Sequence, residues 1–180
     1  DSGADHADLT AEYAAIPQEM KAVAAYFGCE VLREVDESRI WADMPGLRKA
    51  VGDRAVLRAL HFFADDQRVA LEADALERGD FDAFLKVVQQ SGESSWMYLQ
   101  NIAPTGAVAE QAMAVALATA GHALKGRGAY RVHGGGFAGT IQAFVPLDML
   151  DEFKTTVESV LGTGSCHVLT VRAVGGAVVC

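Results

Sequence analysis

Cysteine is scarce in this chain. Cys29, Cys166 and Cys180 are odd in number, far apart, and form no C-x-x-C pair, which excludes a disulfide framework and a zinc site built on cysteines. Basic charge is also short: 15 Lys and Arg stand against 24 Asp and Glu, a formal charge of −9. No basic stripe forms, and nucleic acids and anionic membranes are held by clustered Lys and Arg, so neither is expected as a partner. No apolar run approaches the roughly 20 residues that a membrane helix requires, and no signal-peptide pattern is seen. Together these absences point to a cytoplasmic protein. The first residue is Asp1 rather than Met, so the expectation is a piece of a longer protein.

What is present suits a self-sufficient core. Apolar residues make up 51% of the 180, too many for a disordered chain. A domain of this size buries roughly 70% of its unfolded surface and needs neither disulfide nor metal to fold. One domain over residues 1–180 is therefore expected, or two small ones sharing a core.

Hydrophobic spacing divides the chain into a helical front and a mixed rear. Thr10 is placed to cap a helix carrying Ile16, Met20, Val23 and Phe27 and stopped at Gly28, with Pro17 disturbing its middle. A short extended piece, 30–35, precedes helix over 36–50, interrupted or restarted at Pro45. The strongest periodic signal follows Gly52, with Ala59, Phe62, Phe63, Val69, Ala70, Ala73 and Leu76 on one face up to Gly79. Asp80 then caps a helix with Phe81, Phe84, Leu85 and Val88 inward. Residues 91–106 are polar and read as loop with at most one helical turn, and 107–124 as an Ala-rich helix. Beyond Lys125 the pattern becomes strand (129–133), glycine loop (134–139), strand (140–145), helix from Pro146, and a last strand at 166–173, with 177–179 as a further edge. This order predicts an α+β fold, a helical bundle packed on one face of a small antiparallel sheet.

The sharpest chemical feature is the run Gly134-Gly135-Gly136-Phe137-Ala138-Gly139. Glycines without Cβ atoms can take positive φ and bring backbone N–H groups up to an anion. The same run can equally be a tight β-turn without a ligand. Strand-glycine-strand order argues against a dinucleotide fold, where a helix follows the glycines. His133 borders the loop and is placed either to donate to a phosphate or to end a strand beneath it. Asp5, His6 and Asp8 form an acidic-histidine cluster that equally suits a polar turn, and no metal site is assigned. Tyr13 is either a core residue or one whose hydroxyl faces a ligand. His61, beside Phe62 and Phe63, reads as packed, and Trp96 and Tyr98 mark either a binding rim or a loop clamp. No Ser-His-Asp, Cys-His or two-carboxylate constellation can be assembled, so no catalytic residue is assigned.

Read together, three stretches resemble the C-terminal half of galactokinases, within the GHMP small-molecule kinase superfamily. They are His6-Ala7-Asp8-Leu9 with Glu12-Tyr13; Arg58-Ala59-Leu60-His61 with 75–81, Phe84 and Ser91; and 128–139, similar to that family's third signature motif. The resemblance covers essentially the whole chain. It implies a ferredoxin-like C-terminal domain and transfer of the ATP γ-phosphoryl group to the anomeric hydroxyl of galactose. It further implies ATP and Mg²⁺ bound mainly by an N-terminal domain that this chain lacks, so that the chain alone would be inactive. By the same resemblance Tyr13 would hydrogen-bond the sugar, while Gly134, Gly135, Gly136 and Gly139, with His133, would form the wall beside the nucleotide phosphates. The chain departs from the family at four places: His133 stands where Thr or Ser is usual, Ala138 where a second glycine is usual, Pro17 and Gln18 where Arg-Arg is usual, and Gly92-Glu93-Ser94-Ser95-Trp96 where a Tyr and Glu-Leu-Asp stretch is usual. The competing expectations are another kinase of the superfamily, a galactose sensor without turnover, or a free-standing α+β ligand-binding or dimerisation module.

Overall fold

The computed structural model describes residues 1–3 and 9–175. Asp5, His6 and Asp8 lie outside the described residues, as does the expected edge at 177–179.

Helices α1 (Thr10–Tyr26), α2 (Glu37–Ala42), α3 (Met44–Val51) and α4 (Asp53–Glu77) form the front bundle. Their shared core is Val23, Ala24, Leu32, Val35, Ile40, Leu47, Ala55, Val56 and Ala59. Thr10 is the first helical residue rather than the cap: Leu9 precedes it and no side chain caps the end. Pro17 lies inside α1, where it removes the N–H that the Tyr13 carbonyl would otherwise accept. The piece at 30–35 is a short 3₁₀ turn, Leu32–Glu34, between extended residues. Asp36 caps α2 by accepting from the Ser38 N–H, and α3 starts afresh with Pro45 in its first turn, where a missing N–H costs nothing.

In α4 the buried face differs from the expected stripe. Ala55, Val56, Arg58, Ala59, His61 and Ala75 are buried, whereas Val69 and Leu76 are exposed. The apolar count misjudged this face because two polar residues, Arg58 and His61, occupy it and find partners there.

Helix α5 (Phe81–Ser94) starts as expected, with the Asp80 carboxylate accepting from the Ala83 N–H. It does not end at Ser91. It continues to Ser94 and passes into a π-helical turn, Ser95–Leu99, closed by Gln100 in the left-handed region. Ser91, Ser94 and Ser95 are all buried and stand at i, i+3 and i+4, a helical face made of small hydroxyls. Helix α6 (Ala112–Leu124) begins later than its alanine run suggested.

Strands β1 (Ala129–Val132) and β2 (Ile141–Phe144) pair antiparallel, with Arg131 opposite Gln142 and Val132 opposite Ile141. One face of this ribbon is covered by α6 and α7 (Leu150–Leu161) through Ala120, Leu124, Phe153 and Val157 against Tyr130, Ile141 and Ala143. The architecture is α+β as expected, but among the described residues the sheet has two strands. Residues 166–173 form no strand, and Val168, Leu169 and Val171 are exposed. No helix among the described residues is long and apolar enough to cross a membrane.

Candidate functional site

The glycine loop follows β1 directly. His133 extends the ladder, its N–H donating to the Thr140 carbonyl at 3.1 Å. His133, Gly134 and Gly135 face solvent, whereas Gly136, Phe137 and Ala138 are buried. The loop thus has an outer lip and an inner anchor, and three parts of the chain hold the anchor.

Helix α1 supplies the first hold. The Tyr13 hydroxyl donates to the Gly136 carbonyl at 2.8 Å, and its ring meets the Phe137 ring edge-on with centroids 5.4 Å apart. Burial pushes the Tyr13 phenol above its usual 10.0, which keeps it protonated as a donor. Gly135 lies against this ring so closely that a Cβ there would sit 2.8 Å from Tyr13 Cε1.

Asn101, just after the π-helical turn, supplies the second. Its Nδ2 donates to the Gly135 carbonyl at 3.2 Å, and its own carbonyl accepts from the Phe137 N–H at 2.5 Å. Gly136 (φ +81°) lets the two backbones meet, since a Cβ there would stand 2.1 Å from the Asn101 carbonyl oxygen. Phe137 itself sits at φ 60°, a left-handed conformation rare for a bulky residue. The Asn101 contact and the Tyr13 ring hold it there. Ser2 supplies the third hold, its N–H and Oγ both donating to the Gly139 carbonyl at 2.8 and 2.7 Å.

A buried ionic network fixes the frame behind these contacts. Arg58, fully buried, donates from Nε to the Leu99 carbonyl at 3.0 Å and from Nη1 to Glu19 at 2.8 Å. Arg54 forks onto the same Glu19 and also reaches Thr105, which Glu12 accepts from. Helix α1, helix α4 and the segment carrying Asn101 are therefore one electrostatically tied unit.

Of the expected site residues, Tyr13, Gly135 and Gly136 converge in direct contact, while His133 and Gly134 lie on the exposed lip and Gly139 at the far end under Ser2. Asn101 and Glu19 were not singled out from the sequence, and Arg58 entered only as part of the resembling stretch at 58–61, with no role assigned. Arg58 and Glu19 carried a readable signal, each a charge between apolar neighbours at helical spacing; Asn101 carried none. His61 is packed as expected, 6% exposed, with Nδ1 2.9 Å from Ser94 Oγ. Trp96 and Tyr98 project from the π-helical turn and are partly exposed. Among the described residues no group of three or more His, Cys, Asp or Glu side chains gathers to hold a metal ion.

The fold that carries this glycine loop is similar to that of a sugar kinase of known structure. The crystal structure of Lactococcus lactis galactokinase complexed with galactose superposes with a TM-score of 0.65 at 21% identity, covering 90% of this chain and 41% of that one. In sequence the chain is similar to the galactokinases of Mannheimia succiniciproducens (29% identical over 152 residues, 84% of this chain and 37% of that protein) and Haemophilus influenzae (26% over 156 residues, 87% and 38%). This chain thus spans less than two fifths of the length of the curated relatives it matches. No family model matches it.

Proposed function

We propose that this chain is the C-terminal part of a galactokinase, which in its complete form transfers the ATP γ-phosphoryl group to galactose. The observation that carries the reading is the tie between Tyr13 and Gly136: it sets the tyrosine and the glycine lip side by side, where the resemblance asks for a sugar contact and a phosphate wall. Likeness over most of this chain, but under half of each relative, supports a part rather than a whole.

In this reading Gly134 and Gly135 offer backbone N–H groups at the lip, His133 stands beside them, and Gly136 and Gly139 hold the loop in shape. Exposed N–H groups on a pre-formed loop fit a phosphate chain, because phosphoryl transfer depends on positioning and on charge stabilisation fixed in advance. ATP would bring the transferable phosphoryl group. Mg²⁺ would be held mainly by residues outside this chain, in the N-terminal domain that is its expected partner. Tyr13 would keep its hydroxyl proton on Gly136 and present its oxygen lone pairs to a sugar hydroxyl. The compartment we assign is the cytoplasm.

The test is ADP release by the complete gene product, with galactose, glucose, arabinose and mevalonate as acceptors and this 180-residue chain as control. Galactose-dependent turnover by the complete protein alone is the expected result. Silence on every acceptor overturns the kinase reading, and turnover on a different acceptor reassigns the substrate.

A further inference from the structure

The glycine loop is braced from a second direction, by a polar cluster that the proposed reaction does not use. The Ser91 hydroxyl on α5 donates to Asp65 Oδ1 on α4 at 2.6 Å and accepts from Arg131 Nη1 on β1, also at 2.6 Å. A hydroxyl has one proton to give, so both contacts fix it in a single orientation, and Ser91 is only 1% exposed. Arg131 Nε turns back to the Val132 carbonyl at 3.1 Å, the last residue of β1 before His133 and the loop. Behind Asp65 stand Arg68 Nη1 at 3.3 Å and His61 Nε2 at 3.8 Å.

The packing leaves this chain little freedom to rearrange. Gly92 brings α5 against β1 so tightly that a Cβ there would be 2.8 Å from Arg131 Cβ. The Gln89 side chain accepts from the Tyr130 N–H at 3.1 Å, so α5 occupies the edge of β1 that β2 leaves open. The guanidinium of Arg131 is the point where α4 and α5, through Asp65 and Ser91, grip the strand end.

We infer that Ser91 and Arg131 are positioning residues: the Asp65–Ser91–Arg131 relay sets the end of β1, and through it the glycine lip that meets the nucleotide. Neither residue touches substrate. Their effect reaches the nucleotide only through the backbone of the strand, and this last step rests on the kinase reading proposed above. Sugar binding, braced by Tyr13 from α1, is left untouched by the relay.

The experiment uses the complete gene product and two independent readouts. Amide exchange over the peptide 129–140 reports the loop whether or not the protein is a kinase. KM for ATP and KM for galactose, measured separately, report the consequence. Ser91→Ala and Arg131→Met are expected to speed exchange in that peptide at least about tenfold, since each removes the charge-assisted Ser91–Arg131 hydrogen bond together with a second bond of the relay. They are expected to raise KM for ATP by a similar factor and to leave KM for galactose unchanged, and Ser91→Thr should restore both. Ser94→Ala is the control: Ser94 is as buried as Ser91 and bonds His61 in the same cluster, but does not reach β1. It is expected to change neither readout. Arg131 is partly exposed, so Arg131→Met decides the matter should Ser91→Ala fail to fold. Unchanged exchange over 129–140 overturns the inference. So does faster exchange in an active kinase with no change in KM for ATP, or an equal effect of Ser94→Ala. If no acceptor is phosphorylated, the kinase reading falls while the exchange measurement still decides whether the relay holds the loop.

Discussion

Tyr13 and Gly136 are 123 residues apart in the chain, yet the Tyr13 hydroxyl donates to the Gly136 carbonyl at 2.8 Å. That one bond joins the first helix to the buried end of the glycine loop. The phenol does two jobs here: the ring fills the space against Gly135 and Phe137, and the hydroxyl satisfies a buried carbonyl.

Tyr13→Phe separates the two jobs. The ring contacts remain and the Gly136 carbonyl loses its donor, so a fall in unfolding free energy of about 1–2 kcal/mol is expected, read by urea titration. In the complete protein the same variant should also raise KM for galactose, which a purely structural tyrosine would leave in place.

Three glycines of the loop should rank by what a methyl group meets. Gly136→Ala drives a Cβ to 2.1 Å from a backbone oxygen at φ +81°, and nothing there can yield. Gly135→Ala presses the same group to 2.8 Å from the Tyr13 ring, which can shift. At Gly134 (φ +74°) nothing lies within 4 Å, so only the left-handed backbone resists, by about 1 kcal/mol. Melting temperatures should therefore fall in the order Gly136→Ala, Gly135→Ala, Gly134→Ala, the first by most. Equal losses at Gly136 and Gly134, which share a left-handed φ, would mean that φ alone, and not the Asn101 contact, sets the loop there.

Stability should fall with pH through His61. Burial lowers its pKa below the usual 6.5, against the pull of Asp65 upward and with Arg68 and Arg131 pushing further down. A folded-state pKa below the unfolded one means that the unfolded chain binds the proton first as pH drops. Stability from this group is then complete above about pH 6.5 and declines as pH falls from there toward the lower folded value. His61→Gln should flatten that part of the unfolding free energy curve between pH 5 and 7, and a curve that keeps its slope would place the titration elsewhere.

Much of this arrangement was readable from residue patterns, and the failures have a common physical cause. The helices α1, α4 and α7, the Asp80 cap and the β1–loop–β2 unit follow from apolar spacing and turn chemistry. The extension of α5 through Ser91-Gly92-Glu93-Ser94-Ser95 does not, because Ser and Gly are weak helix formers on their own. Here the helix is held by what it packs on: Ser91 by Asp65 and Arg131, Ser94 by His61, Gly92 by the close approach of β1. The buried face of α4 was misjudged for the same reason, since Arg58 and His61 are buried through partners on other elements. Residues 166–173 alternate as a strand would, but alternation creates no hydrogen-bonding partner, and among the described residues β2 has only β1 beside it.

Glu19 is the residue on which the frame behind the loop depends. Arg58 is fully buried, and among the described residues Glu19 is the carboxylate it is hydrogen-bonded to, with the Leu99 carbonyl accepting from its Nε. Burial lowers the Arg58 pKa while Glu19 holds it up, and a guanidinium keeps its charge with or without the carboxylate. Glu19→Gln removes the countercharge and leaves a cation in the interior, with an expected cost of about 3 kcal/mol. Arg58→Met together with Glu19→Gln removes the stranded charge as well, and should recover a measurable part of that loss because the double variant buries no ion. Arg54 is 35% exposed where Arg58 is fully buried, so its contact to Glu19 should contribute less of the effect, and Arg54→Met is expected to cost less than about 1 kcal/mol. Unfolding free energies of the wild type, Glu19→Gln, Arg58→Met and the double variant give the coupling directly. If the double variant is no more stable than Glu19→Gln, the stranded guanidinium is not the source of the loss, and the tie between α1, α4 and the Asn101 segment rests on packing instead.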